Sequence, residues 1–205
     1  MHCTMLNEQE KTNLLSLNKS LNHYFPICAT LAILIALTGC AQFGNPITHT
    51  APDYEQLPVN TVKEVALYLE TQVAEGNRTP DLSARSSFTL DSPIIQQALR
   101  SRAARASLVQ ELLDSGHMLE KRNGKIAIVR SSAYKQSKNR EGRDRDALIV
   151  ISENNDRVLL YESLQDLNNL NPAARSAIEE LFFEARVQLM KVGQQYEGTG
   201  GEVVV

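Results

Sequence analysis

The sequence predicts a mainly α-helical protein with one small β-hairpin, an α+β fold in which about four helices pack around one core. Four segments carry apolar residues at three- and four-residue spacing, the period of one helix face. Between the second and third segments, Asn123-Gly124 separates two short extended runs, which indicates a hairpin. A polar stretch with three prolines, residues 41–58, precedes the first helix and predicts a flexible N-terminal tether.

Length and composition limit the classes of protein that fit. The chain has 205 residues, 42 % of them apolar and 5 % aromatic, with a formal net charge of −3. This length suits one domain with a sizeable core. The weak negative charge does not favour nucleic-acid binding, which leaves a strong basic footprint in a sequence.

The first helix is expected over residues 61–75. Asn60 or Thr61 would cap it, and Glu64 is placed for the reciprocal capping-box contact. Gly76 would end it.

The second helix has the clearest boundaries. Ser92 is placed as its cap, Pro93 takes the first helical position, and Gly116 ends it. Its apolar stripe consists of Ile95, Leu99, Ala103, Ala106, Val109 and Leu113. Arg100, Arg102 and Arg105 lie largely off this stripe, so Arg102 is expected to be solvated.

Residues 117–131 change to an extended pattern, and Asn123-Gly124 is expected to supply the positive φ angles of a type I′ turn. Residues 132–143 are polar and basic and indicate an exposed loop or helix lead-in. Tyr134 is the single aromatic residue among them, so a nucleic-acid patch is not favoured.

The third helix is expected over residues 144–167. Its inward face would consist of Ala147, Ile151, Asn154, Val158, Tyr161 and Leu164. Asn154 is a candidate for a buried hydrogen bond that fixes the packing register.

The last helix is expected to begin at Asn171-Pro172, with Asn171 as its cap, and to end at Gly193. Its stripe would consist of Ile178, Leu181, Phe182, Ala185, Leu189 and Val192. The glycine-rich tail, residues 198–205, is expected to be mobile, and the alternative is that its three valines add to a sheet edge.

The sequence shows no clustered ligands at metal-binding spacing and no motif of a known catalytic site, so no catalytic residue, metal or cofactor is predicted. Glu153 and Asp156, and likewise Glu180 and Glu184, are pairs at helical spacing. Such pairs usually belong to solvated faces with arginine partners. The alternative is a hydrolase of envelope polymers that uses Glu153 or Asp156 as its acid.

Leu37-Thr38-Gly39-Cys40 closes an apolar run, residues 27–37, which follows Lys11 and Lys19. This arrangement resembles the lipobox of bacterial lipoproteins. The resemblance implies a signal peptide over residues 1–39, lipid including palmitate on Cys40, and a lipidated tether over residues 40–58. Ala41 replaces the Asp that would retain a lipoprotein at the inner membrane, which implies the outer membrane. The alternative is an uncleaved transmembrane helix, although the run is shorter than the roughly 20 residues that a span needs.

The order of features from Ser92 to Tyr196 resembles the YdbL-type periplasmic domain of unknown function. The matching features are Ser92-Pro93, Arg100, Arg102, Arg105, Gly116, Asn123-Gly124, Asn154, Arg157 and Tyr161. Residues 192–196 lack the proline of that family's closing turn. The resemblance implies a domain over residues 59–197 that assists AsmA-like envelope proteins, which bridge the two membranes and move lipid, and it supplies no catalytic residue.

The sequence therefore predicts a non-enzymatic accessory or binding module at the periplasmic face of the outer membrane, with an envelope protein as partner and no nucleic acid. Arg157 and Tyr161 lie one turn apart and are candidate partner contacts. The alternative for this pair is a contact that supports the core.

Overall fold

The structure is a computed structural model that describes residues 52–55, 57–82 and 88–205. The predicted signal peptide, Cys40 and most of the predicted tether lie outside these residues. In the part of the chain that is described, none of the helices is both long enough and apolar enough to cross a membrane.

The described residues form five helices and four short strands, which confirms the mainly α fold with a small sheet. The helices are α1 (Val59–Ala74), α2 (Pro93–Asp114), α3 (Ser132–Ser137), α4 (Arg140–Leu167) and α5 (Ala174–Leu189). The strands are β1 (Met118–Glu120), β2 (Ile126–Ile128), β3 (Gln195–Glu197) and β4 (Val203–Val204). The main apolar core lies between α1, α2, α4 and α5, and a smaller cluster joins α2 and α4 to the strands.

Side-chain caps mark the first turns of α2 and α4 but not that of α1. The Ser92 hydroxyl accepts a hydrogen bond from the Ile94 amide at 3.2 Å, as the sequence predicts for α2. Helix α1 begins at Val59 without a side-chain cap, so the predicted caps Asn60 and Thr61 lie inside the helix and the capping box is wrong. Helix α4 begins at residue 140, earlier than predicted, because the Asn139 side chain accepts a hydrogen bond from the Gly142 amide at 2.8 Å.

The last helix also begins later than predicted. Its first residue is Ala174, and the Asn171 side chain accepts a hydrogen bond from the Ala173 amide at 2.8 Å. Asn171 therefore stabilises the turn that leads into α5 and does not cap the helix itself. The stripe of α5 is buried up to Ala185, whereas Leu189 and Val192 are exposed.

Helix α4 is rotated relative to the predicted orientation. Its buried residues are Asp146, Ile149, Glu153, Arg157, Leu160, Tyr161 and Leu164. Ile151, which was expected to face inward, is exposed. The apolar pattern misplaced this face because three of its inward positions, Asp146, Glu153 and Arg157, are charged and find partners there. Asn154 makes the predicted kind of hydrogen bond, although at a partly buried position: its side chain accepts from the Ile126 amide at 2.8 Å and donates to the Ile126 carbonyl at 3.0 Å.

Strands β1 and β2 form the predicted hairpin, with Glu120 opposite Ile126. The turn type is different. Gly124 has a φ of +75°, but Asn123 does not have a positive φ, so the type I′ prediction is wrong. The Gly124 amide instead donates to the Lys121 carbonyl at 3.0 Å, and the glycine takes the one left-handed position of this loop.

The tail completes the sheet. Strand β3 pairs in parallel with β1, and β4 pairs antiparallel with β3, so the strand order is β2-β1-β3-β4. The sheet-edge alternative for the valines is therefore correct for Val203 and Val204.

Candidate functional site

A ring of buried ionised side chains lies where four helices and the hairpin meet. Its members, here called the charge ring, are Glu70, Arg102, Glu153, Arg157, Glu120 and Arg186. None of the six is more than 6 % exposed. Because α1, α2, β1 and α5 each supply one member and α4 supplies two, the ring connects every large element of the fold.

Arg102 joins α1 to α4. Its Nη1 and Nη2 atoms donate to the two carboxylate oxygens of Glu70 at 3.1 and 2.7 Å. Its Nε donates to Glu153 Oε1 at 2.8 Å. This two-point pairing fixes the plane of the guanidinium group as well as its distance from the carboxylate.

Arg157 and Arg186 close the ring on the other side. Arg157 Nε donates to Glu153 Oε1 at 2.9 Å, and its Nη1 and Nη2 donate to the Glu120 carboxylate at 2.7 and 2.8 Å. Arg186 Nε donates to Glu120 Oε2 at 2.9 Å and its Nη1 to Glu70 Oε1 at 3.0 Å. Acidic and basic groups therefore alternate around the whole circuit, and the ring carries no net formal charge.

The hairpin turn is seated on this ring through one carbonyl. Gly124 O accepts hydrogen bonds from Arg157 Nη1 at 3.3 Å, Arg186 Nη2 at 3.1 Å and the Tyr161 hydroxyl at 3.0 Å. A Cβ atom at residue 124 would lie 2.8 Å from the Tyr161 ring. The position requires glycine because of its backbone angle and because of this close approach.

The electrostatic environment keeps the three carboxylates ionised. Burial by itself raises the pKa of Glu70, Glu120 and Glu153, but the adjacent guanidinium groups outweigh it and hold each pKa below the ordinary glutamate range. Burial opposes the charge on Arg102 and Arg157 in the same way, and the carboxylates raise the pKa of both.

A small pocket opens above the ring. Its volume is about 80 Å³, which is room for a few water molecules. The wall is mainly apolar and comes from α1, α2 and the end of α5, while all six ring residues contribute to its lining. Gln194, which is buried, lines it too and donates to Asp114 at 2.6 Å.

Comparison of the chain with protein-family models, curated proteins and solved structures finds no match. The functional interpretation therefore depends on the chemistry of the described residues and on the sequence pattern around Cys40.

The geometry corrects the predicted partner contact. Arg157 and Tyr161 are both buried, and their polar atoms are engaged with the ring and with Gly124, so neither offers a surface to another protein. The alternative, a contact that supports the core, describes the observed pair. Arg102 was expected in solvent, but it lies in the core because Glu70 and Glu153 pair with it there.

The ring is poorly suited to proton transfer. A general acid needs a pKa near the working pH, whereas the pKa of Glu153 is shifted downward. Glu153 was also expected on a solvated face, but it is buried. Asp156 pairs with Arg105 at the edge of the ring. Glu180 pairs with Arg122 as a partly buried carboxylate. Among the described residues no cluster of potential ligands could hold a metal ion.

Sequence reasoning did not identify Glu70, Glu120 or Arg186 as members of a site. One signal was available. Glu70 follows Leu69 in the apolar stripe of α1, and Arg186 follows Ala185 in the stripe of α5. Charges of opposite sign beside the inward stripes of several helices indicate that those charges meet in the core.

The ring predicts a specific loss of stability in acid. The unfolded chain takes up protons on these carboxyls at a pKa of about 4.3, whereas the folded ring resists protonation because its pKa values are lower. The stabilisation is therefore complete above that pKa and decreases as the pH falls through it. The free energy of unfolding, measured by urea titration from pH 7 to pH 3, should decrease by up to about 1.4 kcal/mol per pH unit for each carboxyl.

Two variants separate the ring from the surface. Glu153→Gln removes one of the three buried carboxyls. The free energy of unfolding should therefore change less steeply with pH, by the contribution of up to one bound proton. Glu64→Gln alters an exposed residue of α1 and should leave the slope nearly as it is. An equal slope in Glu153→Gln and the wild type would show that the ring does not hold its carboxylates ionised.

Proposed function

We propose that the chain is a lipoprotein of the bacterial cell envelope, anchored by lipid on Cys40 at the periplasmic face of the outer membrane. Its folded domain acts as a non-enzymatic accessory or binding module. The observation that carries the proposal is the lipobox-like Leu37-Thr38-Gly39-Cys40 after an apolar run, ahead of one folded domain. Several acyl chains on one cysteine give stable anchoring, whereas a single chain is marginal.

The charge ring supports a binding role over a catalytic one. Its carboxylates are ionised and bound to guanidinium groups, which leaves them little capacity to donate or accept protons near neutral pH. The same pairs hold four helices in one arrangement, and a module that presents a fixed surface to a partner needs such rigidity.

The outer face of α4 is the surface best suited to a protein partner. Leu148, Ile151 and Leu159 are large apolar residues that are exposed on it. Residues at three- and four-residue spacing continue this face with acidic side chains at both ends: Glu141 and Asp144 before the apolar centre, Glu162 and Asp166 after it. Asp144 pairs with Arg140 and Glu162 with Arg175, so Glu141 and Asp166 are the carboxylates left for a partner. A complementary partner would carry an apolar patch between basic groups. The YdbL-type resemblance suggests an AsmA-like envelope protein as this partner.

Replacement of Cys40 tests the anchor. The wild type should take up labelled palmitate and fractionate with the outer membrane. Cys40→Ser should stay at precursor length without label, because serine cannot form the thioether on which processing depends. Cys28→Ser lies in the segment expected to be removed, so it should behave like the wild type. Palmitate uptake by Cys40→Ser would refute the anchor.

A photo-crosslinking residue on α4 tests the partner surface in intact cells. Placed at Ile151, it should capture one envelope protein. Ile94 on α2 is the matched control, since it is the same residue type and both are 54 % exposed. Equal capture from the two positions would show that the face of α4 has no special role.

A test for hydrolysis addresses the alternative function. Hydrolysis of peptidoglycan or phospholipid by the purified chain, lost in Glu153→Gln, would overturn the proposal of a non-enzymatic role.

A further inference from the structure

Positive charge is concentrated in one segment of this acidic chain. Between residues 130 and 146 the sequence has six cations, Arg130, Lys135, Lys138, Arg140, Arg143 and Arg145, against three carboxylates, Glu141, Asp144 and Asp146. The whole chain carries a formal charge of −3, so the rest of the molecule is more acidic than the average suggests. Such asymmetry creates a local field that attracts anions.

Ion pairs within the segment leave part of this charge free. The Asp146 carboxylate is buried and lies 3.5 Å from Lys138 Nζ, and Arg140 lies 3.9 Å from Asp144. Arg130, Lys135 and Arg143 form no ion pair with a carboxylate of the described residues. Arg143 is held in place by donating to the carbonyls of Lys138 at 2.7 Å and Lys135 at 3.4 Å.

These three unpaired cations share one shallow groove between β2, α3 and α4. The groove has a volume of about 490 Å³ and is lined by Ile128, Arg130, Tyr134, Lys135, Arg143 and Ala147. The lining therefore combines three cations with apolar side chains and includes no carboxylate. A ligand that fits this lining carries negative charge together with apolar groups.

We propose that this groove binds the headgroups of anionic phospholipids in the membrane that carries the lipid anchor. A phosphate diester next to acyl-glycerol matches the cations and the apolar lining, and basic surfaces beside a membrane are attracted to anionic lipid. The inference rests on the proposed anchor. Leu57 packs in the main core, which shortens the predicted tether of residues 40–58. Residues 40–56 span at most roughly 60 Å when extended, which keeps the domain close to the membrane.

A nucleic acid fits this groove less well. Binding of single-stranded nucleic acid uses exposed aromatic rings on which bases stack. Tyr134 is the aromatic residue of the groove, but it is buried, and its hydroxyl donates to Asp146 at 3.2 Å. Its ring is therefore unavailable as a stacking platform.

Lysine acetylation of the full chain tests the proposal. The protein would be reconstituted in vesicles of phosphatidylcholine, with or without phosphatidylglycerol, and the acetylation rate of each lysine measured by mass spectrometry. Lys135 should react several-fold more slowly when phosphatidylglycerol is present. Lys63 and Lys191 are exposed elsewhere and should react at the same rate in both vesicles. High salt should remove the protection, because it screens the attraction.

Charge reversal supplies the matched control. Arg130→Glu should abolish the protection of Lys135. Arg100→Glu makes the same change at an exposed position of α2 and should leave the protection intact. Equal labelling of Lys135 in the two vesicles, or protection that survives Arg130→Glu, would overturn the proposal. The proposal would also be overturned if an oligonucleotide or an acidic peptide in solution protected Lys135 while vesicles of phosphatidylglycerol did not.

The same samples distinguish this inference from the anchor on which it rests. The mass of the peptide that contains Cys40 reports the attached lipid independently of Lys135. Protection of Lys135 on a chain without lipid would support lipid binding in the groove and refute the anchor at Cys40. A chain with lipid on Cys40 but without protection of Lys135 would support the anchor and refute lipid binding in the groove.

Discussion

The alternating ring of three glutamates and three arginines is the interaction on which the rest of this structure depends. Removing an ion from water costs several kcal/mol even after relaxation. Six buried ions are therefore compatible with a stable fold only when opposite charges beside each one offset this cost. The closed circuit meets this condition, because Glu70, Glu120 and Glu153 each contact two of the arginines. Displacement of any of the contributing helices would leave an unpaired charge in the core.

The ring also explains the register of the small elements. The Gly124 carbonyl in the turn of the hairpin is bound by Arg157, Arg186 and Tyr161. Asn154 fixes the β2 side of the same hairpin. Apolar packing tolerates small slips between helices, whereas hydrogen-bonded ions do not. We therefore interpret the ring as a device that specifies one arrangement of the helices more than as a source of net stability.

Some of the fold could be predicted from the sequence because it depends on local chemistry. The cap at Ser92, the inward position of Leu99 and a hydrogen-bonding role for Asn154 follow from short patterns, whereas the partner of Asn154, Ile126, does not. The rotation of α4 does not, because a periodic pattern treats every charge as solvent-facing, and only the assembled fold reveals that Glu153 and Arg157 have partners on other elements. For the same reason the sequence placed Arg102 in solvent and made Arg157 a candidate contact for a partner.

The proposed function likewise combines a feature that local sequence predicts with features that only the assembled fold shows. The anchor is inferred from a short local pattern around Cys40, whereas the surfaces of α4 and of the basic groove became visible only when the fold placed Ile151 outward and brought Arg130 and Arg143 together. The charge ring holds α4, which contributes to both surfaces, in one position relative to the other helices.

The most direct test of the ring is to remove one cation and compare it with a solvated one. Arg102→Met leaves Glu70 and Glu153 without that partner, so urea unfolding at neutral pH should show a loss of about 3–5 kcal/mol. Arg100→Met changes an exposed residue two positions away and should alter the free energy of unfolding by less than about 0.5 kcal/mol. A small and equal effect in both variants would contradict the account, because Arg102 would then not be part of a ring that the fold depends on.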